Sequence, residues 1–173
     1  MKQLPIFAFA AAMAAIVSGA MTFSAGGADD ESSPIFGIKI PPGYRDWRLI
    51  AVAHEEGNLN DLRAILGNDI AIGASREGKL PFPDGTIIAA LHWRFLPSEE
   101  NNKVFGRAQS FVAGHPTNVQ FMVKDSKKYA ATGGWGFAHF NDGKPADAAV
   151  LNTCFACHQA IKARDLVFTR YAP

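Results

Sequence analysis

The sequence is poor in cysteine and in net charge. Only two of its 173 residues are Cys, which leaves no second Cys pair of the kind that a structural zinc site requires. The formal net charge is +1, so the chain offers no basic field for nucleic acid, and no nucleic-acid partner is expected. The sequence also has no internal repeat, low-complexity block or evident linker, which indicates roughly one domain at this length.

The remaining composition is that of a globular protein. Hydrophobic residues make up 48% and charged residues 19% of the chain. These values exclude a disordered tail, a collagen-like chain and a coiled coil. The apolar fraction is sufficient for one core, and Phe is unusually frequent, with 13 residues.

The first 28 residues have the pattern of a secretory signal peptide. Lys2 supplies a positive charge, residues 5–17 are almost wholly apolar, and small residues suited to cleavage follow at 18–20 and 26–28. A retained membrane anchor is the alternative, but the apolar run is short for a full span and is interrupted by Ser18 and Gly19. The pattern therefore favours export.

Cleavage after residue 28 defines the expected organisation. We expect residues 29–40 to form a flexible leader and residues 41–173 a single domain. The mature protein is expected in the periplasm, soluble or loosely tethered and without a stable membrane span.

Alternating hydrophobicity predicts a mainly antiparallel sheet. The clearest strand is residues 86–95, in which Ala89 and Leu91 fall on one face while Ala90 and His92 fall on the other. The same reasoning predicts strands at 44–52, 118–124 and 135–140, a strand or short helix at 61–66, helices at 71–76 and 146–164, a turn at 141–143, and a strand or extended segment at 166–171. The predicted fold class is α+β, mainly antiparallel β-sheet with a few helices, the last of them C-terminal.

The C-terminal helix carries a C-x-x-C-H motif at residues 154–158. This spacing is the attachment signature of c-type haem, because two thiols so placed can form thioethers with the two haem vinyl groups. The adjacent His158 lies on the same helical turn and can bind the iron. We therefore predict one covalently attached haem c, held by Cys154 and Cys157, with His158 as the metal ligand.

Three other interpretations of the motif are weaker. A disulfide between Cys154 and Cys157 would close too short a loop to stabilise much. A thioredoxin-like redox pair requires a βαβ context, which is missing here. A zinc site requires further ligands at zinc spacing.

The position of the motif constrains the other side of the haem. Fifteen residues follow His158, and none is Met or His. The distal side must therefore come from the upstream strands. A four-helix bundle with a C-terminal haem is another layout, but the strand signals argue against it.

Residues 44–47, 78–86, 134–137 and 154–158, together with V-F-T-R at 167–170, resemble the cytochrome P460 family, which includes the beta-type cytochromes c-prime. The resemblance spans most of the expected domain. It implies a mainly antiparallel β fold, a C-terminal haem c with proximal His158, and a homodimer. Members of this family oxidise hydroxylamine toward nitrogen oxides, or bind small gases such as nitric oxide.

Ala90 departs from the hydroxylamine-oxidising members of that family. In those members a Lys, four residues after the D-G-T turn, is bonded covalently to the haem edge. Ala cannot form this bond, so the resemblance leaves hydroxylamine oxidoreductase activity open. The beta-type cytochromes c-prime lack the bond and cap the distal face with Phe. The candidates for such a cap here are Phe82, Phe95, Phe111, Phe121, Phe137 and Phe140.

Arg63 and His92 are the candidate catalytic residues. The resemblance implies a distal Arg at Arg63, able to bond a ligand or a haem propionate. His92 shares the strand face of Ala90 and could be a sixth ligand, a proton donor or a buried hydrogen-bonded residue. His139 has similar alternatives, and Met122 is expected to fill space in the core rather than to bind iron.

Three functions remain open from the sequence. The first is a haem protein with an apolar distal pocket that binds nitric oxide, since such a pocket favours neutral ligands. The second is a hydroxylamine oxidoreductase that passes electrons to a partner cytochrome. The third is an electron carrier with His92, His139 or Met122 as sixth ligand.

Overall fold

The computed structural model describes residues 32–172. In this part of the chain an antiparallel six-stranded sheet has its strands in sequence order. The strands are β1 (Arg48–Glu55), β2 (Asp61–Gly67), β3 (Ile87–Pro97), β4 (Phe111–Lys124), β5 (Trp135–Asn141) and β6 (Lys144–Pro145). The helices are α1 (Asp69–Glu77), α2 (Glu99–Phe105) and α3 (Ala148–His158), with 3-10 turns at Tyr44–Asp46, Ala130–Thr132 and Gln159–Arg164. The predicted α+β class, with a C-terminal helix that carries the motif, is confirmed.

The ends of α1 and α3 are fixed by local capping. The Asn68 side chain accepts the Ala71 N–H over 2.9 Å, and Gly78, at φ 63°, ends α1 as the sequence predicts. The Asp147 side chain accepts the Val150 N–H at the start of α3. Helix α3 then continues into the 3-10 turn at Gln159–Arg164, so the predicted helical stretch at 146–164 is confirmed in its main part.

Some predicted elements differ from the structure. Residues 44–46 form a 3-10 turn rather than the start of a strand, because Gly43, at φ 68°, turns the chain and its carbonyl accepts the Asp46 N–H. The Tyr44 ring packs edge-on against Phe121, with ring centroids 5.2 Å apart. Helix α2 has no buried residue, so no apolar periodicity predicted it. Leu166 lies in a turn, at φ 66°, and residues 167–171 belong to no strand of the described sheet.

The sheet separates two apolar clusters, as the alternation in β3 predicts. Ile88 and Ala90 lie on the face that packs against Cys154 and Phe155 of α3, and this side is called the helix face below. Ala89 and Leu91 lie on the reverse face, which is covered by residues that precede β1, among them Ile38, Tyr44 and Trp47. Strand β3 therefore positions residue 90 on the side of the motif.

The N-terminal expectations lie largely outside the described residues. The proposed signal peptide, residues 1–28, is entirely outside them, and so are residues 29–31 of the expected leader. Within the described part of that leader, Ser33 and Ile38 are buried, at 1% and 6% exposure. The Ser33 hydroxyl donates to the Phe137 carbonyl over 3.3 Å. Between residues 32 and 172, no helix is long and apolar enough to cross a membrane.

Candidate functional site

The two thiols of the motif project from the last turns of α3. Cys154 is half-buried and packs against the helix-face cluster, whereas Cys157 is exposed, and the two are not joined in a disulfide. Residues three apart on a helix lie on the same side, so both sulfur atoms can reach one flat group. The pKa of Cys154 is raised, chiefly by burial, which keeps this sulfur a neutral thiol.

His158 is the last residue of α3 and is oriented by its surroundings. Its Nδ1–H donates to the Leu166 carbonyl over 2.6 Å. Its ring lies between Phe137 and Phe168, with ring centroids 5.2 and 5.1 Å away. Burial lowers the pKa of His158, opposed by the Leu166 hydrogen bond. A neutral ring that uses Nδ1 as donor keeps its lone pair on Nε2, the form that binds metals.

These three side chains fit a covalently attached haem. Two free thiols at attachment spacing can form thioethers, and the fixed Nε2 lone pair can bind iron. No group of three or more His, Cys, Asp or Glu side chains within residues 32–172 is arranged to hold a bare metal ion. The donor set therefore fits a covalently attached haem.

Ala90 is half-buried on the helix face, within the cluster that contacts Cys154 and Phe155. Its register partners are Ile65 on β2 and Gln120 on β4. Directly opposed residues of antiparallel strands share a face, so Ile65 and Gln120 also lie there. This position presents a methyl group and no amine.

His92 and Arg63, predicted separately, form one polar network. They are register partners on β3 and β2. The His92 Nδ1–H donates to Asp61 Oδ2 over 2.6 Å, and Arg63 Nε donates to Asp61 Oδ1 over 3.1 Å. Arg63 Nη1 also donates to Glu55 Oε1 over 3.2 Å. The network lies on the helix face, two residues along β3 from Ala90.

The ring of His92 is left with one unused nitrogen. The residue is 3% exposed, and its buried Nε2 has no hydrogen-bond partner. The pKa of His92 is lowered, first by burial and also by Arg63 and His139, while Asp61 opposes the shift. With Nδ1 as donor to Asp61, Nε2 of the neutral ring is a buried acceptor.

Asp61 is the residue that sequence reasoning missed. It is 5% exposed and accepts from both His92 and Arg63. The signal was its place two residues before Arg63 on a strand, which puts both on one face. The sequence left residues 61–66 as either a strand or a short helix, so this shared face could not be predicted from it.

Most of the six Phe candidates for a distal cap lie elsewhere. Phe121 and Phe140 are buried on the reverse face, so the sheet separates them from the motif. Phe95 and Phe111 stack on each other at 4.3 Å between ring centroids. Phe82 belongs to the helix-face cluster, where it packs edge-on against Trp135. Phe137 is on the helix face but contacts His158.

The other ligand candidates have structural partners. Met122 packs in the helix-face cluster, as expected for a space-filling residue. His139 is half-buried and shares a hydrogen bond of 3.1 Å between its Nε2 and Asn141 Oδ1. Gln120, His139 and His92 make the helix face more polar than the apolar pocket predicted from the sequence.

A cleft of about 580 Å³ lies between the end of α1 and the C-terminal segment. Its charged lining residues are Arg76, Lys79, Arg164, Arg170 and Glu77. The Arg76 Nε donates to the Tyr171 hydroxyl over 2.9 Å, and Arg164 Nη2 donates to the Thr169 carbonyl over 3.0 Å. Neither bond neutralises a charge, so the cleft is basic although the chain as a whole is not.

The model of the family described as cytochrome P460 matches residues 41–169. The matched region begins before β1, contains the whole sheet and α3, and ends in the C-terminal segment. A search of curated proteins found no match to the chain.

Proposed function

The chain belongs to the cytochrome P460 family, and from that premise we propose that it is an exported haem c protein that binds nitric oxide. Cys154 and Cys157 carry the haem, and His158 is the proximal ligand. When bound, the haem supplies an iron atom that takes a small nitrogen ligand. The observation that carries this proposal is Ala90 on the helix face, because a methyl group there leaves the haem edge without an amine to bond.

Two of the three candidates for a sixth ligand are engaged elsewhere, since the His139 Nε2 is shared with Asn141 and Met122 is packed in the helix-face cluster. His92 keeps an unpaired Nε2, but its Nδ1 bond to Asp61 holds the ring in the network with Arg63. With His92 held there, a haem bound by His158 would keep a position free for a ligand, which supports ligand binding over the electron-carrier alternative.

His92 and Arg63 are the groups we assign to the bound ligand. Arg63 presents N–H donors, which suit nitric oxide, and a neutral His92 presents an acceptor at Nε2, which suits a ligand that carries hydrogen such as hydroxylamine. Both are held by the carboxylate of Asp61, so they need no reorganisation when a ligand arrives.

Hydroxylamine oxidation is the second candidate, and the His92–Asp61 pair favours it. The reaction releases protons along with electrons, and a buried imidazole with a free Nε2 and a carboxylate behind it can accept them. The pair therefore supports a proton-accepting role even without an amine at position 90.

Electrons released at the haem would require a partner, which we propose docks on the basic cleft. Four of its five charged lining residues are cationic, so an acidic electron-transfer protein is complementary to it. Residues Val167 and Thr169 line the cleft, and Phe168 between them contacts the His158 ring. The Phe168 side chain is therefore the link between the segment that lines the cleft and the proximal ligand.

We also propose a periplasmic location and a homodimer.

The test is the protein produced with its leader in a host that matures c-type cytochromes. We expect the intact mass to exceed that of the polypeptide by one haem, and Cys154→Ala/Cys157→Ala to remove this increment while Thr153→Ala retains it. The ferrous protein should be high-spin and bind nitric oxide without turning over hydroxylamine. A low-spin ferrous spectrum with no nitric oxide binding would select the electron carrier, and hydroxylamine turnover would select the oxidoreductase.

A further inference from the structure

Lys124 and Asp165 form a buried ion pair behind the proximal side of the motif. The Lys124 Nζ lies 2.7 Å from Asp165 Oδ1 and 3.0 Å from Oδ2, and the two side chains are 6% and 12% exposed. Lys124 Nζ also donates to the Gly133 carbonyl over 3.2 Å. Asp165 Oδ2 accepts the Phe82 N–H over 2.8 Å. One carboxylate therefore ties β4 and the segment before β3 to the chain that follows α3.

The residue after Asp165 is the one that orients His158. Asp165 and Leu166 have φ values of 50° and 66°, in the left-handed region that residues other than glycine rarely adopt. This turn brings the Leu166 carbonyl back to within 2.6 Å of His158 Nδ1. Two successive residues in this region persist only where their surroundings hold them.

Both residues of this turn are held in place by contacts with the rest of the fold. The Asp165 carboxylate is fixed by Lys124 and by Phe82. The Leu166 side chain is 5% exposed in the helix-face cluster. Of these anchors, the ion pair is the one that carries charge and that can be altered without opening a cavity.

We propose that Lys124 and Asp165 are positioning residues for the proximal histidine. Their ion pair holds the Leu166 carbonyl on His158 Nδ1–H and thereby sets how strongly Nε2 donates to a haem iron. A hydrogen bond to Nδ1–H makes the ligating nitrogen more basic, which stabilises ferric over ferrous iron. The inference depends on haem ligation by His158, part of the proposed function, but not on nitric oxide as the ligand.

The direction of the effect separates positioning from simple charge. If the pair acts by position, Asp165→Asn and Lys124→Met both weaken the hydrogen bond. Both variants then raise the reduction potential and lower the iron–histidine stretching frequency in the Raman spectrum. If the pair acts only by charge, loss of the carboxylate raises the potential while loss of the ammonium lowers it.

The double variant Lys124→Met/Asp165→Asn is the decisive one. It leaves no unpaired buried charge, so it is the variant expected to fold best. We expect its potential to stay above that of the unaltered protein and its stretching frequency to stay below. A potential and a frequency equal to those of the unaltered protein would overturn the proposal.

Asp69→Asn serves as the matched control. It removes an exposed ion pair, in which Arg48 Nη2 lies 2.8 Å from Asp69 Oδ1. Potential and frequency should not move in this variant. Failure of nitric oxide binding with the predicted shifts intact would count against the proposed function alone. If the unaltered protein gave no iron–histidine stretching band, both this proposal and the proposed function would be contradicted.

Discussion

The imidazole of His92 donates its Nδ1–H to the carboxylate of Asp61 over 2.6 Å, and both residues are almost fully buried. They lie on neighbouring strands, on the sheet face that carries Ala90. Because Asp61 also accepts from Arg63, this one carboxylate fixes both residues that we assign to the bound ligand.

Replacing Asp61 by Asn should destabilise the protein and disturb this network. The amide carries no charge to stabilise Arg63, and the NH2 group that replaces one carboxylate oxygen cannot accept a hydrogen bond. We expect a loss of about 1–3 kcal/mol in the free energy of unfolding, measured by denaturant titration. Asp69→Asn, at an exposed ion pair, is the comparison and should change little. Equal stabilities of the two variants would contradict a central role for Asp61.

Stability should fall on acidification because His92 is held neutral. Burial is the main cause that lowers its pKa below the ordinary value of 6.5. The unfolded chain takes up a proton near pH 6.5, and the folded protein does so only at lower pH. The unfolded state therefore holds more protons between these two values, so this contribution is present above about pH 6.5 and is lost as pH falls toward the folded pKa.

The measurement is the unfolding free energy between about pH 7.5 and pH 5.5. His92→Gln should show a smaller decline than the unaltered protein, since Gln does not titrate. His115→Gln, at an exposed histidine of β4, should keep the full decline. The same slope in all three proteins would show that His92 does not carry the effect.

Ala90→Lys tests which position faces the haem edge. We expect the new amine to form a covalent bond to the porphyrin once an oxidant such as hydrogen peroxide removes the hydrogens that the bond displaces. The ferrous absorption band should then shift to the red, and the haem should stay on the chain in a variant without the two thiols. Ala90→Gln, which lacks the amine, is the control. An unchanged spectrum in Ala90→Lys would place the haem edge elsewhere.

Charge reversal in the basic cleft should weaken electron exchange with an acidic partner. Arg170→Glu and Lys79→Glu alter lining residues, whereas Lys103→Glu alters an exposed residue of α2 outside the cleft. We expect the rate with an acidic electron-transfer protein to fall roughly tenfold or more at low salt in the first two variants, and the loss to shrink as salt is added. An equal loss in Lys103→Glu would mean that the cleft has no special role.

Alternation was sufficient to assign the faces of β3. Ala89 and Leu91 are on the reverse face and Ala90 is on the helix face, as predicted, because side chains of a strand alternate strictly. The turn at 141–143 and the end of α1 at Gly78 could also be predicted, because each depends only on neighbouring residues that adopt positive φ. Helix α2 could not be predicted because it buries nothing.

The attachment motif, the fold class and the methyl group at position 90 could be predicted before any fold was known, because each depends on residue identity or on spacing along the chain. The contacts of His92 with Asp61, and of His158 with Leu166 in front of the Lys124–Asp165 pair, could not be predicted in this way. The Lys124–Asp165 pair spans 41 positions in sequence and the His92–Asp61 pair spans 31. Contacts of that kind arise from strand register and from the path of the chain after α3, which no local pattern specifies.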